Sequence, residues 1–575
     1  MHVTLRIAWV VVACMTSTEV LAEPSGVRFD VGDYGARPDD GKNDLAGVSK
    51  ALAACGKRGG GAVVFSKGRY DLTLPARRRG AYFVLKDVKG MTIEGNGAVL
   101  VAHDAAAFFH VADCSDLTVR KLTLDSDPLP FTCGKVVAAG RGSIDVKPEK
   151  GYRAIAGRSV KGVFGYDPVK GRPAVRGHDC YMLDNTTPSS LTDSGLMRVP
   201  CRGGIKVGAP VIVRHEIYGR NGFTLRGCSR VLFEDLTIYS LGGMGVYAAA
   251  SADITVRRMT VAKGPDGKRW MSTTADATHF NTCRGTITLE DCHFEGMGDD
   301  ATNIHNHFWT ISGRIGADTL RVTLKRVRRH VLPRNPPRVG DTMEIGGPEN
   351  PLAPGVTRTV KSVRTDPKKK DLIITLTKPL DSKVRSGGIA WNASAAPKAR
   401  IRRCTVKNNR ARGMLIQTRD VILEGCLFEN CSGSAIHVAS DVNYWHEGIG
   451  VRDMVIRNNK FIGCNYGAAR RAAVVDVFSE LSGGKIAPAG VHRGIEVTGN
   501  IFTKPEGSAI YIHSSDGVVI RDNKFVEPSG AAVFVDHSRN VRLTGNTLSG
   551  GAKGGLKIGR NCNLETVKAH KNSGF

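Results

Sequence analysis

The segment Thr273–Phe308 carries the residues best suited to chemistry: Asp276, and then the adjacent pair Asp299-Asp300, 23 and 24 positions later. Grouped carboxyls can cleave an acetal linkage between sugars. One, kept protonated, assists departure of the leaving oxygen, while an ionised one attacks or activates water. Crowding raises the pKa of like-charged neighbours, so one of three close aspartates holds its proton near neutrality. Asp-Asp after Gly-Met-Gly would also suit a plain turn or a calcium loop. The residues that follow, Asn303, His305 and His307, favour the catalytic reading. His305 and His307 alternate along a strand and face one side, and we read them as hydrogen-bonding groups for sugar hydroxyls in preference to metal ligands. Trp270 and Trp309 flank the segment, and Trp270 is taken as a ring face for a sugar.

What must position these residues is legible as a repeat. An eight-residue pattern, roughly V-x-[IL]-x-[DN]-[NC]-x-[FVL], begins at Met91, Leu117, Val231, Ile254, Ile287, Ala399, Val421, Met454, Ile495, Val518 and Val541. Several neighbours lie 22 or 23 residues apart, one coil of a right-handed parallel β-helix. In a solenoid of that pitch, residues 23 or 24 apart sit side by side on adjacent rungs, so the three aspartates converge. The sixth place holds Cys at 292, 404 and 426 and Asn at 459, 500, 523 and 546. Stacked one rung apart, these form ladders, asparagine bonding turn backbone and cysteine acting as a small buried hydrophobe. Asp44–Cys55, with Leu45, Val48, Ala51, Leu52 and Cys55 on one face, predicts a capping helix started by Asp44 and ended by Gly56.

The rhythm breaks twice, between 117 and 231 and between 287 and 399, where short alternating strands predict two β-rich, barrel-like insertions. The expected organisation is an export signal over 1–22, cap and first coils over 23–128, and a first insertion over 129–226. Coils with the aspartates follow over 227–308, then a basic second insertion over 309–398 and the C-terminal coils over 399–575. The fold class is all-β.

The start, with Arg6, an apolar run from Ile7 to Ala13 and the compact residues Val20 and Ala22 at the −3 and −1 positions, reads as a secretory signal. Val11-Val-Ala-Cys14 offers a second route, a lipoprotein anchored at Cys14. No other apolar run approaches the ~20 residues of a membrane span. Of 14 cysteines, 13 follow position 22; an odd number cannot all pair, which leaves room for one or two disulfides. The formal charge of +27 is uneven, with 19 Lys/Arg against 7 Asp/Glu over 311–400. A basic lobe of this kind is most simply a solvated face and could also draw an anionic glycan. No motif supports nucleic-acid binding. Oligomeric state is not readable.

Asp33-Tyr-Gly-Ala-Arg-Pro-Asp-Asp-Gly41 resembles the start of polygalacturonase-like β-helix proteins in general. More particular are Ala275-Asp-Ala-Thr-His-Phe280, Gly298-Asp-Asp-Ala-Thr-Asn-Ile-His305, Arg410-Ala-Arg-Gly-Met-Leu415 and Asp441-Val-Asn-Tyr-Trp-His-Glu447. Together they resemble glycoside hydrolase family 110, exported inverting enzymes acting on terminal α-1,3-linked galactose, over most of the chain. The resemblance implies Asp276, Asp299 and Asp300 as catalytic carboxylates, Asp276 as the acid and the pair as holder of the water, with no metal or other cofactor. It implies His279, Arg412, Asn443, Trp445 and Glu447 as further residues around a carbohydrate substrate. His446, Gly448 and Thr302 depart from the family's usual residues. Competing readings are a polygalacturonase-like or sulfated-glycan hydrolase, a calcium-dependent polysaccharide lyase, and a non-catalytic adhesin. The first lacks the expected Gly-His-Gly and Arg-x-Lys elements after the aspartates.

Overall fold

The first two repeat copies lie in the continuous strands Met91–Ala102 and Ser115–Ser126, and from Val231 onward each copy folds as two short strands hinged at its fifth residue. That residue takes the left-handed conformation repeatedly: Asp235 at φ 52°, Asp291 at 55°, Arg403 at 51°, Asn458 at 56° and Asp522 at 56°, with glycine at 425, 499 and 545. Asp, Asn and Gly tolerate this conformation best. The hinge turns the sixth side chain into the core beside the first, third and eighth. In the computed structural model the copies stack as parallel rungs in register, Leu117 on Val231, Val231 on Ile254, Ile254 on Ile287, Ile287 on Ala399, and so to Val518 on Val541. Where rungs are far apart in sequence, the extra chain loops out and the register resumes. These strands form a 24-stranded sheet, and the opposite side of the coils forms a 13-stranded one. The result is a parallel β-helix. The structure describes residues 26–76, 80–183, 188–201, 204–323, 335–353, 355–366, 371–448, 450–550 and 554–575. The segment read as an export signal, Cys14 and the basic runs 324–334 and 367–370 lie outside them. Among the described residues no helix is long and apolar enough to cross a membrane.

Stacking of identical positions gives continuous columns in the core. Phe428, Phe461, Phe502 and Phe525 at the eighth place stack with ring centroids 5.2, 4.6 and 5.1 Å apart. At the sixth place each asparagine amide donates to the next: Asn459 to Asn500, Asn500 to Asn523 and Asn523 to Asn546, each at 3.0 Å. Asn500 also donates to the carbonyl of Ile456 at 2.9 Å and accepts the backbone N–H of Asn459 at 2.9 Å. Alanine at 500 would orphan both groups in the core, at ~1–3 kcal/mol each. Asn500→Ala is therefore expected to lower the urea midpoint clearly; a midpoint equal to wild type would show the ladder to be ornamental. Cys292, Cys404 and Cys426 are buried at the same place, and all thirteen described cysteines are free thiols. Those three pack as hydrophobes, and no disulfide joins the described cysteines.

The capping helix runs Leu45–Arg58 with Leu45, Val48, Ala51, Leu52 and Cys55 buried. Two details differ from expectation. Gly56 lies inside the helix and Gly59, at φ 93°, ends it. Asp44 makes no side-chain cap; its carboxylate accepts the backbone N–H of Arg37 at 2.8 Å and of Asp71 at 3.1 Å, while Asn43 accepts from Leu45.

The two interruptions form separate antiparallel units. Strands between Phe131 and Arg214 make an eight-stranded sheet that follows an open path among the described residues. Strands between Phe308 and Asn392 close into a six-stranded barrel around Trp309, Ile311, Val322, Ile345 and Ile374. Two buried ion pairs fasten this barrel to the coils: Asp341 with Arg284 at 2.7 Å, and Glu344 with Arg419 at 2.7 Å.

Candidate active site

Strands Thr278–Asn281, Thr302–His305, Met414–Ile416 and Ile436–Asp441 are consecutive rungs of the 13-stranded sheet. Thr278 pairs with Thr302 and Thr302 with Met414. Two residues before each of these stand Asp276, Asp300 and Arg412, so they form one column at ~4.8 Å per rung. The carboxylate of Asp276 accepts the backbone N–H of Asp300 at 3.2 Å. Arg412 grips Asp300 from the next rung, its Nε at 2.9 Å, its Nη2 at 2.6 Å and its backbone N–H at 2.9 Å. Asp299 points toward the first insertion, where the hydroxyls of Tyr181 and Tyr218 donate to its Oδ2, the latter at 3.2 Å. Carboxylate oxygens of the three aspartates lie within 4.8 Å of one another, and all three side chains are buried.

Burial sets the protonation states. Desolvation, and then the charges of Asp299 and Asp300, push Asp276 well above the usual carboxylate range. Desolvation raises Asp300 as well, with the Arg412 charge opposing it. His279, whose Nδ1 is 2.7 Å from Asp276 Oδ2, is lowered to about 3 by burial, and His307 to about 4. His305, its Nε2 2.9 Å from that of His279, is lowered well below its ordinary value. The three imidazoles are neutral at physiological pH. Glu447, 3.6 Å from His305, is pushed up to about 8, by burial first and then by the charge of Asp441. The site therefore offers one protonated aspartate, a locked Asp300–Arg412 pair and a wall of neutral donors and acceptors.

These groups line a cavity of about 1090 Å³, at the upper end of small-ligand sites. It gathers Asp276, His279, Asp299, Asp300, Asn303, His305, His307, Arg412, Trp445 and Glu447, with Trp309 from the barrel. Two sequence candidates lie elsewhere. Trp270 is stacked on Tyr166 at 4.8 Å and packs in the first insertion's core. Asn443 is exposed at the tip of the loop that Asp441 organises; its amide donates to Leu481 O at 3.2 Å. Missed were Tyr181, Tyr218, Arg410 and Tyr444, all on the cavity wall. Arg410 is held by Asp179 of the first insertion at 2.9 and 2.8 Å, and its guanidinium covers the Tyr181 ring at 4.3 Å. The Arg410-Ala-Arg412 spacing carried a signal for it; the insertion tyrosines carried none.

Two of the three positions that depart from the resembled pattern, Thr302 and Gly448, have local causes. Thr302 Oγ1 lies 2.5 Å from Thr278 Oγ1 on the rung above, a buried hydroxyl pair in place of apolar contact. Gly448 sits at φ 98°, and a Cβ there would lie 2.8 Å from Ala439 O, which excludes a serine without backbone movement. Two groups in the cavity have spacing suited to an ion, the aspartate trio and His305–His307–Glu447. The trio's oxygens are largely engaged with Arg412, the tyrosines and His279.

A family comparison agrees with the β-helix of the later coils. The family described as "Right handed beta helix region" matches residues 387–573. At the level of particular proteins, an alpha-1,3-galactosidase A of Shewanella woodyi is 25% identical over 513 residues, 83% of this chain and 82% of its own. An alpha-1,3-galactosidase B of Bacteroides thetaiotaomicron is 24% identical over 543 residues, 85% and 84% of the two chains. Among solved structures, the catalytic unit of a thermostable alpha-1,3-glucanase from Streptomyces thermodiastaticus is similar with a TM-score of 0.46 and 12% identity, covering 96% of this chain and 69% of that one. The curated homologues of this chain, over most of its length, are thus proteins named alpha-1,3-galactosidase.

Proposed function

We propose that this protein is a glycoside hydrolase that removes terminal α-1,3-linked galactose from glycans, with inversion, by aspartate acid–base catalysis. The observation that carries the reading is the column Asp276–Asp300–Arg412, which sets a proton-bearing carboxyl one rung from an arginine-bound one. Asp276 gives its proton to the glycosidic oxygen as the bond to the anomeric carbon breaks. Water held by Asp299 and Asp300 attacks that carbon, and its proton passes to the pair. Neutral imidazoles and the protonated Glu447 give and accept hydrogen bonds with sugar hydroxyls without adding charge. A cavity walled by both insertions and the Asp441–Glu447 loop suits a chain end, hence exo action.

The carboxyl spacing bears on stereochemistry. Oxygens within 4.8 Å are nearer the ~5–5.5 Å usual for a covalent intermediate than the ~6.5–9.5 Å usual for direct attack by water. Against a covalent intermediate, each candidate nucleophile is encumbered: Asp300 by Arg412, Asp299 by two tyrosines, Asp276 by His279. Proton NMR of purified enzyme with a galactose-α-1,3-galactose disaccharide separates the cases. Inversion yields β-galactose first; α-galactose first would overturn inversion, and no galactose would overturn the substrate.

A second reading follows from Arg470 and Arg471, which are exposed, line the cavity and make no ion pair among the described residues. They favour a glycan bearing sulfate or carboxylate near the scissile bond. A sulfated galactan oligosaccharide cleaved faster than its desulfated form, with the preference lost in Arg471→Ala, is the expected result on that reading; equal rates would dismiss it.

A further inference from the structure

At the far end of the 13-stranded sheet, outside the cavity, His513, Asp536 and His537 bring three ligand-type side chains together, their donor atoms within 4.8 Å of one another. His513 follows strand Ser508–Ile512 and Asp536 follows Val533–Val535; Ile512 pairs with Val535, so the two are rung neighbours. His513 is fully buried, and its Nδ1 lies 2.7 Å from Ser514 Oγ. That hydroxyl gives its own hydrogen to Ala487 O at 2.6 Å, so it accepts from Nδ1–H. Nε2 then carries the bare lone pair, and this buried atom has no hydrogen-bond partner among the described residues. Metal-binding histidines take this arrangement, one ring nitrogen fixed by a neighbour and the other turned to the ion.

The other two groups are placed to complete a site. The His537 ring lies 4.7 Å from that of His513, and its Nδ1 is 3.3 Å from Asp536 Oδ1 without hydrogen-bond geometry. Asp536 is fixed by the backbone N–H groups of His537 at 2.9 Å and Asn561 at 3.2 Å. On the next rung stands Gly559, where a Cβ would come within 2.2 Å of Asp536 Cγ; glycine leaves that space to the carboxylate. Asp536 and His537 are half-buried, so an ion has access.

We propose that His513, Asp536 and His537 bind one divalent transition-metal ion of the zinc class. Two imidazoles and one carboxylate select such an ion over calcium or magnesium. Zinc ligands lie ~2.0–2.2 Å from the metal, so modest side-chain rotations close the group on it. His513 stands four rungs beyond strand Thr302–His305, ~19 Å along the axis at ~4.8 Å per rung. The ion therefore clamps the last coils and takes no part in the aspartate chemistry, and the proposal stands whatever the substrate.

The test uses the full chain, stripped of metal, titrated with Zn²⁺ by calorimetry and with Co²⁺ by visible absorption. Wild type is expected to take one equivalent that His537→Ala and Asp536→Asn both lose, with circular dichroism unchanged. Ser514→Ala, which frees the His513 ring, is expected to weaken that equivalent about 10–100-fold. No bound ion would overturn the proposal. So would wild-type stoichiometry in both His537→Ala and Asp536→Asn, which would place any ion in the cavity.

Discussion

An Asp276→Asn variant is expected to lose about 10²–10⁴-fold in kcat on an α-1,3-linked disaccharide, the usual contribution of a general acid. The amide keeps the shape and still faces His279 Nδ1 and the backbone N–H of Asp300, so the fold should survive. What it removes is the proton. The loss should shrink sharply on an aryl galactoside, whose leaving group departs without protonation. The pH profile gives an independent sign. The Asp276 pKa is raised, by desolvation and then by its aspartate neighbours, so the acid form exists below the elevated value and activity falls as pH rises through it. That alkaline limb should vanish in Asp276→Asn. Glu447 also titrates, at about 8; Glu447→Gln mimics its protonated form and should keep the limb. Equal loss on both substrates, with the limb retained, would remove Asp276 from the acid role.

The second large effect is expected at a residue just behind the cavity wall. Arg214, fully buried in the first insertion, donates from Nη1 to Thr274 O at 3.0 Å and Gly298 O at 3.1 Å, and from Nη2 to Tyr181 O. These carbonyls belong to the turns that present Asp276 and Asp299 and to a tyrosine that bonds Asp299. One guanidinium thus ties both aspartate turns to the insertion. Arg214→Met fills the space but orphans three buried acceptors at ~1–3 kcal/mol each. We expect a Tm lower by several degrees and kcat down about 10–100-fold with KM little changed. Arg214→Lys, which can satisfy one carbonyl, should recover part of kcat. A variant with lowered Tm but wild-type kcat at low temperature would make the residue purely structural.

How much of this was legible beforehand follows from where periodicity reaches. The rungs repeat, so Asp276 and the Asp299-Asp300 pair could be brought together by counting, and the structure refines the count: the 24-residue partner, Asp300, shares the column, while Asp299 faces the insertion. Tyr181 and Tyr218 belong to a segment without a period, so no spacing places them over the site. Trp270 is near the aspartates in sequence, yet the bend before Asp276 sends it to stack on Tyr166. Asn443 lies within a motif whose cavity-lining members are Asp441, Trp445 and Glu447; the asparagine occupies the exposed tip. The ends of the helix failed for a related reason. Asp44 and Gly56 have the right residue types, but the neighbouring strand claims the Asp44 carboxylate, and packing extends the helix to Gly59.

The column also has a bearing on how such a protein could diversify. Asp300 and Arg412 are adjacent in space although the whole six-stranded barrel intervenes in the chain. Exchanging that lobe for another, provided it meets the coil with acidic groups matching Arg284 and Arg419, would alter what approaches the sugar while leaving the reacting atoms undisturbed. A single residue lost from within a rung would do the opposite, turning Asp300 toward the core. Length between coils is therefore free to vary under selection for new glycans, whereas length within them is not.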